Sequence, residues 1–143
     1  MARIINIEPL FAAWLANRPD VIGLAGGRVY PFGEAPQGGE SPYLLFCTVG
    51  GDRLRSTRGP TTRVAHPRLQ LDAIARTYRE ASLLADAVAL DIEDHLQGAE
   101  LDGHRIQSAR CRLPTLTTGD PAFGDEAAEP RKTILCDIWF EEG

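Results

Sequence analysis

The sequence has no apolar run that approaches the roughly 20 residues needed to cross a lipid bilayer, so we expect no membrane partner. Its first residues, Met1–Ile5, lack the apolar core and cleavage site of a signal peptide, and we expect the chain to stay in the cytoplasm where it is made. Lysine is almost absent, because arginine supplies all but Lys132 of the 15 basic residues. Either a GC-rich genome or a functional need for guanidinium groups explains this bias.

Motifs of catalytic and cofactor sites are also missing. The chain has no glycine-rich phosphate loop, HExxH, CxxC pair or GxSxG. Its odd set of three widely spaced cysteines, Cys47, Cys111 and Cys136, predicts free thiols. Each lies in a strand-like run, which favours inert burial over a nucleophile, since a nucleophile needs a nearby base and an electropositive setting. We therefore predict no enzyme, and no catalytic, cofactor or metal site.

The composition is that of an ordinary globular protein. With 143 residues, 43% hydrophobic and 24% charged, the chain is long enough for a single domain over 1–143 with a real core. A net charge of −5 excludes nucleic-acid binding by bulk electrostatics.

Residues Gly26–Val49 are the most informative stretch. The β-prone triplet Arg28-Val29-Tyr30 is cut off by Pro31, and a central strand, Tyr43–Val49, starts just after Pro42. Gly50-Gly51-Asp52 is expected to interrupt this strand, and the polar residues from Arg53 to Ala65 predict a long hairpin arm or a flexible loop.

Period-2 and helical patterns supply the other elements. Alternation predicts strands over Arg68–Arg76 and Lys132–Phe140, and a further strand covers Arg105–Leu113. Glu8–Asn17 and Tyr78–Leu96 are predicted helices, the second capped by Thr77, with Leu83, Ala87 and Leu90 widening its apolar stripe and Asp91 on its polar side. The fold class is therefore α+β: a mixed, mostly antiparallel sheet of four to five strands, two helices packed on one face, and a long polar arm.

In the order and spacing of these parts, the chain resembles the tail completion family of tailed bacteriophages, also called tail terminator or tail-to-head joining proteins. The resemblance is carried by the N-terminal helix, Arg-Val-Tyr-Pro at 28–31, Pro-Tyr-Leu-Leu-Phe at 42–46, the Leu69–Ile74 strand with the helix that follows it, and Cys-Asp-Ile-Trp-Phe at 136–140. It covers nearly the whole chain, and prophages and gene transfer agents carry similar proteins.

The resemblance implies a structural virion protein at the neck, assembled in the bacterial host cytoplasm. Such proteins form a homohexameric ring that ends tail-tube growth and faces the head–tail connector. The implied partners are other copies of the chain, the major tail tube protein, the connector and the DNA that passes through the ring. Another neck component, such as a connector or stopper, is an alternative, and a small α/β enzyme or ligand-binding domain is a further one.

Two oppositely charged segments are the predicted contact sites. The arginine segment contains Arg53, Arg55, Arg58 and Arg63, and it is expected to reach a neighbouring subunit, the tail tube or DNA, or else to be a solvated loop. The acidic segment (114–130) is a predicted surface loop that contains Asp120, Asp125, Glu126 and Glu129. It either meets the arginine segment of an adjacent copy, as the heterologous contacts of a ring require, or is a disordered surface loop.

Two further pairs of side chains suggest chemistry only weakly. Asp91 and His95, four residues apart on the long helix, supply two metal ligands but no third, which favours a polar-face histidine. Asp72 and Asp137 form a carboxylate pair if their strands are neighbours, and are otherwise exposed edge or interface charges.

Overall fold

The computed structural model describes residues 6–34, 40–54, 64–117 and 130–141. The helices along these residues are α1 (Glu8–Ala16), α2 (Pro19–Ala25) and α3 (Tyr78–Asp91), which continues as a π-helical turn over Ile92–Leu96. The strands are β1 (Val29–Pro31), β2 (Tyr43–Leu54), β3 (Val64–Ile74), β4 (Glu100–Leu101), β5 (His104–Cys111), β6 (Thr115–Thr117) and β7 (Arg131–Glu141).

These strands form one mixed sheet in the order β1-β2-β3-β7-β5-β4, with β6 beside β7. The β1–β2 pair is parallel and the other pairs are antiparallel, which confirms the predicted α+β class and the mostly antiparallel sheet. The predicted counts of four to five strands and two helices were too low. Strands β4 and β6 have only two and three residues, too few for an alternating pattern to show in the sequence.

The additional helix, α2, results from Pro19, which both ends one helix and begins the next. Arg18 is extended, with ψ 138°, because the residue before a proline avoids helical geometry. Pro19 therefore ends α1, as predicted, but it also occupies the first turn of α2, where its missing N–H costs nothing.

The cap predicted for α3 is confirmed, since the Thr77 hydroxyl accepts a hydrogen bond from the Glu80 N–H at 3.2 Å.

The helices cover one face of the sheet, and the hydrophobic core lies between them. Strand β7 alternates as predicted, with four buried residues pointing into this core: Ile134, Cys136, Ile138 and Phe140. Phe11 and Leu15 of α1 and Leu84 of α3 meet them from the helical side in one continuous cluster. The predicted widening of the α3 stripe was wrong, because Leu83 and Leu90 are 53% and 61% exposed.

Strand β2 is longer than predicted, because Gly50 and Gly51 do not interrupt it. They remain paired with Arg68 and Pro67 of β3, and a β-bulge between Thr48 and Gly50 absorbs the irregularity. Gly51 has φ +140°, and a Cβ there would lie 2.7 Å from the Cα of Pro67, so only glycine fits this close approach of two backbones. Pairing continues to Leu54 and Val64, so the first and last residues of the predicted arm belong to strands β2 and β3, and residues 55–63 lie outside the described part of the chain.

Candidate assembly surfaces

The predicted contact residues lie almost entirely outside the described part of the chain. Arg53 is within β2, opposite Ala65, and only its backbone is described. The other seven fall outside the described residues: Arg55, Arg58, Arg63, Asp120, Asp125, Glu126 and Glu129. The strands that flank the two segments nevertheless fix where each segment leaves the sheet.

The two segments leave the sheet beside opposite ends of β7. Beyond Arg53, which is still in β2, the arginine segment lies between Leu54 and Val64 in the chain, and Val64 is opposite Glu141 at the end of β7. The four acidic residues of the acidic segment lie between β6 and β7 in the chain, and Thr117 is opposite Arg131 at the start of β7. The 11 residues of β7, at roughly 3.3 Å per residue, separate the two ends by about 33 Å. Part of the acidic segment was also misread as a loop, since Thr115–Thr117 forms β6.

A polar cluster joins β3 to β7 on the face opposite the helices, near the arginine segment. Asp137 Oδ1 accepts a hydrogen bond from Arg68 Nε at 3.1 Å and lies 3.2 Å from His66 Nε2. The His66 ring stacks on Trp139, with ring centres 3.9 Å apart. Partial burial favours the neutral acid, but the Arg68 hydrogen bond and the charges of Arg68 and His66 prevail and lower the pKa of Asp137.

The predicted carboxylate pair does not form, although β3 and β7 are neighbours. Asp72 lies opposite Thr133, whereas Asp137 lies opposite Arg68, four positions before Asp72 in β3. Asp72 is not an exposed edge charge either, because it is only 2% exposed. Its carboxylate accepts a 2.7 Å hydrogen bond from the Thr133 hydroxyl and lies 3.7 Å from Arg131. Each acid is thus held by its own cross-strand partners.

Asp91 was wrongly placed on the polar side of the long helix. Its side chain is 4% exposed and accepts two hydrogen bonds from the Arg18 guanidinium, at 2.9 and 3.0 Å. The hydrogen bond to Asp91 raises the pKa of Arg18, with partial desolvation acting in the opposite direction. His95 is exposed and 3.8 Å from Asp91, and the described residues contain no group of three metal-ligating side chains.

The cysteines are in settings that do not favour a nucleophile. Burial, together with the nearby carboxylates of Asp72 and Glu8, raises the pKa of Cys47. Cys136 is buried, as predicted, but Cys47 and Cys111 are only half-buried. Sequence reasoning missed that Cys111 and Cys136 lie directly opposite each other on β5 and β7, because nothing in the spacing reveals which strands pair.

The described surface carries two open grooves. One, of about 500 Å³, lies between α2 and α3 and is lined by Gly23, Leu24, Glu40, Ser41, Pro42, Arg76, Glu80 and Leu83. The other, of about 380 Å³, runs beside α1 past Trp14 and Arg18. Neither groove is lined by a histidine or a cysteine. Leu24 and Leu83, which line the first groove, are exposed apolar residues.

Comparison with known proteins identifies the family of the chain. The family model for tail completion protein gp17 matches residues 9–120. The chain belongs to this family and is a structural protein of a phage tail. No curated protein matches it in sequence. None of the described helices is long and apolar enough to span a membrane.

The fold is also that of a chain in a solved particle. The protein is similar to a chain in the virion of a native gene transfer agent, with 20% sequence identity and a TM-score of 0.58. The match covers 92% of this chain and 93% of the other. At this identity the likeness shows a shared fold.

Proposed function

We propose that the protein is a single-domain, non-enzymatic subunit of a homohexameric ring at the head-proximal end of a phage or phage-like tail. The ring ends growth of the tail tube and joins the tail to the head connector. Its other partners are the major tail tube protein and the DNA that passes through the ring. It acts at the neck of the virion and assembles in the cytoplasm of the bacterial host.

Membership of the tail completion family supports this proposal, and the geometry of β7 adds a physical reason for a ring. The described strands that flank the arginine and acidic segments place the points where the two segments leave the sheet about 33 Å apart. A closed ring requires heterologous contacts, in which one patch binds a different patch on the next copy. Two segments of opposite charge that leave the sheet at separate points supply two such different patches.

A charge-swap experiment tests the contact. The double substitution Arg53→Glu/Arg55→Glu is expected to lower ring or tail yield by about tenfold or more, while the unfolding midpoint of the isolated subunit changes little. Adding Asp125→Arg/Glu126→Arg restores opposite charge between neighbours and should recover assembly. The matched control is Arg105→Glu/Arg112→Glu, which changes net charge equally at two exposed arginines of the described surface.

Unchanged yield in the first variant, or an equal loss in the control, would reject the contact between the two segments. The position in the particle needs a separate measurement, electron microscopy of particles made with and without the gene. We expect a ring at the tail–head junction of complete particles, and irregular, headless tails after deletion. Headless particles with normal, uniformly terminated tails would reject the role in ending tail growth.

A further inference from the structure

Cys111 and Cys136 occupy a special kind of position between two antiparallel strands. Arg112 donates its N–H to the carbonyl of Leu135 at 2.9 Å, which makes those two residues a hydrogen-bonded pair. Because such pairs alternate with non-hydrogen-bonded pairs, the neighbouring pair Cys111–Cys136 is of the second kind. Side chains approach most closely at these positions, where the Cα atoms are typically about 4.5 Å apart.

This geometry meets the requirements of a cross-strand disulfide. Two cysteines can be joined without backbone movement when their Cα atoms are about 4.4 to 6.8 Å apart and their side chains point toward each other. The two Sγ atoms already lie 2.9 Å apart, in contact on the core face of the sheet. Cys47 serves as an internal comparison, because it lies on the opposite face of the sheet, two strands from β7 and opposite Gln70.

We propose that Cys111 and Cys136 form an oxidation site that reacts with a small-molecule disulfide to give an intramolecular disulfide between β5 and β7. Cys111 is half-buried and is the sulfur that a reagent reaches first, whereas Cys136 is fully buried. The Cys111 thiolate attacks one sulfur of the reagent, and one small thiol leaves. The sulfur of Cys136 then loses its proton and attacks Cys111, and the second thiol leaves. The two cysteines give up two protons and two electrons, and the reagent is reduced to two thiols.

The surroundings of the pair make this reaction slow. The hydrogen bond with Cys111, together with burial, raises the pKa of Cys136 well above that of an ordinary thiol. The Glu93 carboxylate, which accepts the Cys111 backbone N–H at 3.1 Å, adds negative charge that raises the pKa of Cys136 further. Thiolate is the reactive form, so both features delay oxidation. A reducing cytoplasm keeps the pair as thiols during assembly, and an oxidising medium outside the cell allows the disulfide to form.

The experiment uses the full chain and oxidised glutathione as the probe. After incubation, the protein is denatured and alkylated, and the number of alkylated thiols is determined from its mass by mass spectrometry. The wild type should lose two alkylated thiols, and peptide mapping should join Cys111 to Cys136. Cys47→Ser, the matched control, should form the same cross-link, whereas Cys111→Ser should form no internal disulfide. The closed loop should raise the unfolding temperature by on the order of 10 °C, reversibly on reduction.

Two results would overturn the proposal. One is a wild-type protein that keeps three alkylatable thiols after prolonged oxidation. The other is a disulfide that maps to Cys47, within one chain or between two copies. Because the mass measurement is made on the wild type, a folding defect in a variant does not affect it. The outcome is also independent of ring formation.

Discussion

Arg18 and Asp91 form a two-pronged ion pair between residues 73 positions apart in the chain. The guanidinium Nε and one terminal nitrogen each donate to a different carboxylate oxygen, a geometry that lysine cannot reproduce. Arg18 lies at the corner between α1 and α2, and its guanidinium also lies 5.1 Å from the Trp14 ring centre. The pair therefore fixes the helical corner to the end of α3.

Arg18→Ala should lower the free energy of unfolding by about 3 kcal/mol, because it leaves the Asp91 carboxylate buried without its main partner. Urea unfolding followed by circular dichroism measures this loss. Arg79→Ala, at an exposed arginine on α3, is the control and should change stability by less than about 0.5 kcal/mol. In the double variant Arg18→Ala/Asp91→Asn, the loss should be smaller than the sum of the two single losses. A loss equal to the sum of the two single losses would show that Arg18 and Asp91 have no coupling energy.

Two adjacent glycines should respond differently to alanine. Gly51→Ala should destabilise the protein by about 2 kcal/mol or more, because the new Cβ meets the β3 backbone and φ +140° is strained for alanine. Gly50→Ala should cost less than about 1 kcal/mol, since nothing lies within 4 Å of its Cβ position. The midpoints of urea unfolding compare the two. Equal losses would show that the close approach of β2 to β3 at Gly51 is not the cause.

Neighbouring leucines on α3 separate core packing from surface contact. Leu84 is 1% exposed, and Leu84→Ala should cost about 2 to 5 kcal/mol through the cavity it leaves. Leu83 is 53% exposed, and Leu83→Ala should leave the stability of the subunit within about 0.5 kcal/mol. Thermal unfolding gives both values. A large stability loss for Leu83→Ala would mean that this side chain is covered within the subunit.

The protein should lose stability in acid partly through Asp137. Its pKa is lowered in the folded state, so its stabilising contribution is complete above the unfolded value of about 3.9 and is lost as the pH falls toward the folded value. Asp137→Asn should therefore be less stable than the wild type at neutral pH and should lose less stability below pH 4. Asp86→Asn, at an exposed acid on α3, is the control. Parallel curves for wild type and Asp137→Asn would contradict this role.

Local patterns predicted the parts of the fold whose causes are local. The alternation from Ile134 to Phe140 correctly predicted which face of β7 is buried, because the helices cover only one face of the sheet. The cap at Thr77 needs only a hydroxyl and the N–H of Glu80, three residues away, so the sequence contains both partners.

Errors arose where the deciding partner is distant in the chain. Asp91 looked solvated because its cation, Arg18, is 73 residues away. Gly50-Gly51 was predicted to interrupt β2 because glycines usually weaken strands. Gly51 is instead paired with Pro67 of β3, where the two backbones approach too closely for a residue with a Cβ. The separation of Asp72 from Asp137 follows from the register of β3 on β7, which no pattern within either strand specifies.

The bulge at Thr48 has a further consequence for the solubility of the free subunit. Strand β1 pairs with only three residues of β2, so in the described part of the chain the outer edge of β2 beyond Phe46 has no strand beside it. A long, regular edge of this kind is a template for aggregation. The extra residue at the bulge breaks the even spacing of the backbone groups along that edge, and this irregularity discourages a foreign strand from adding to the sheet.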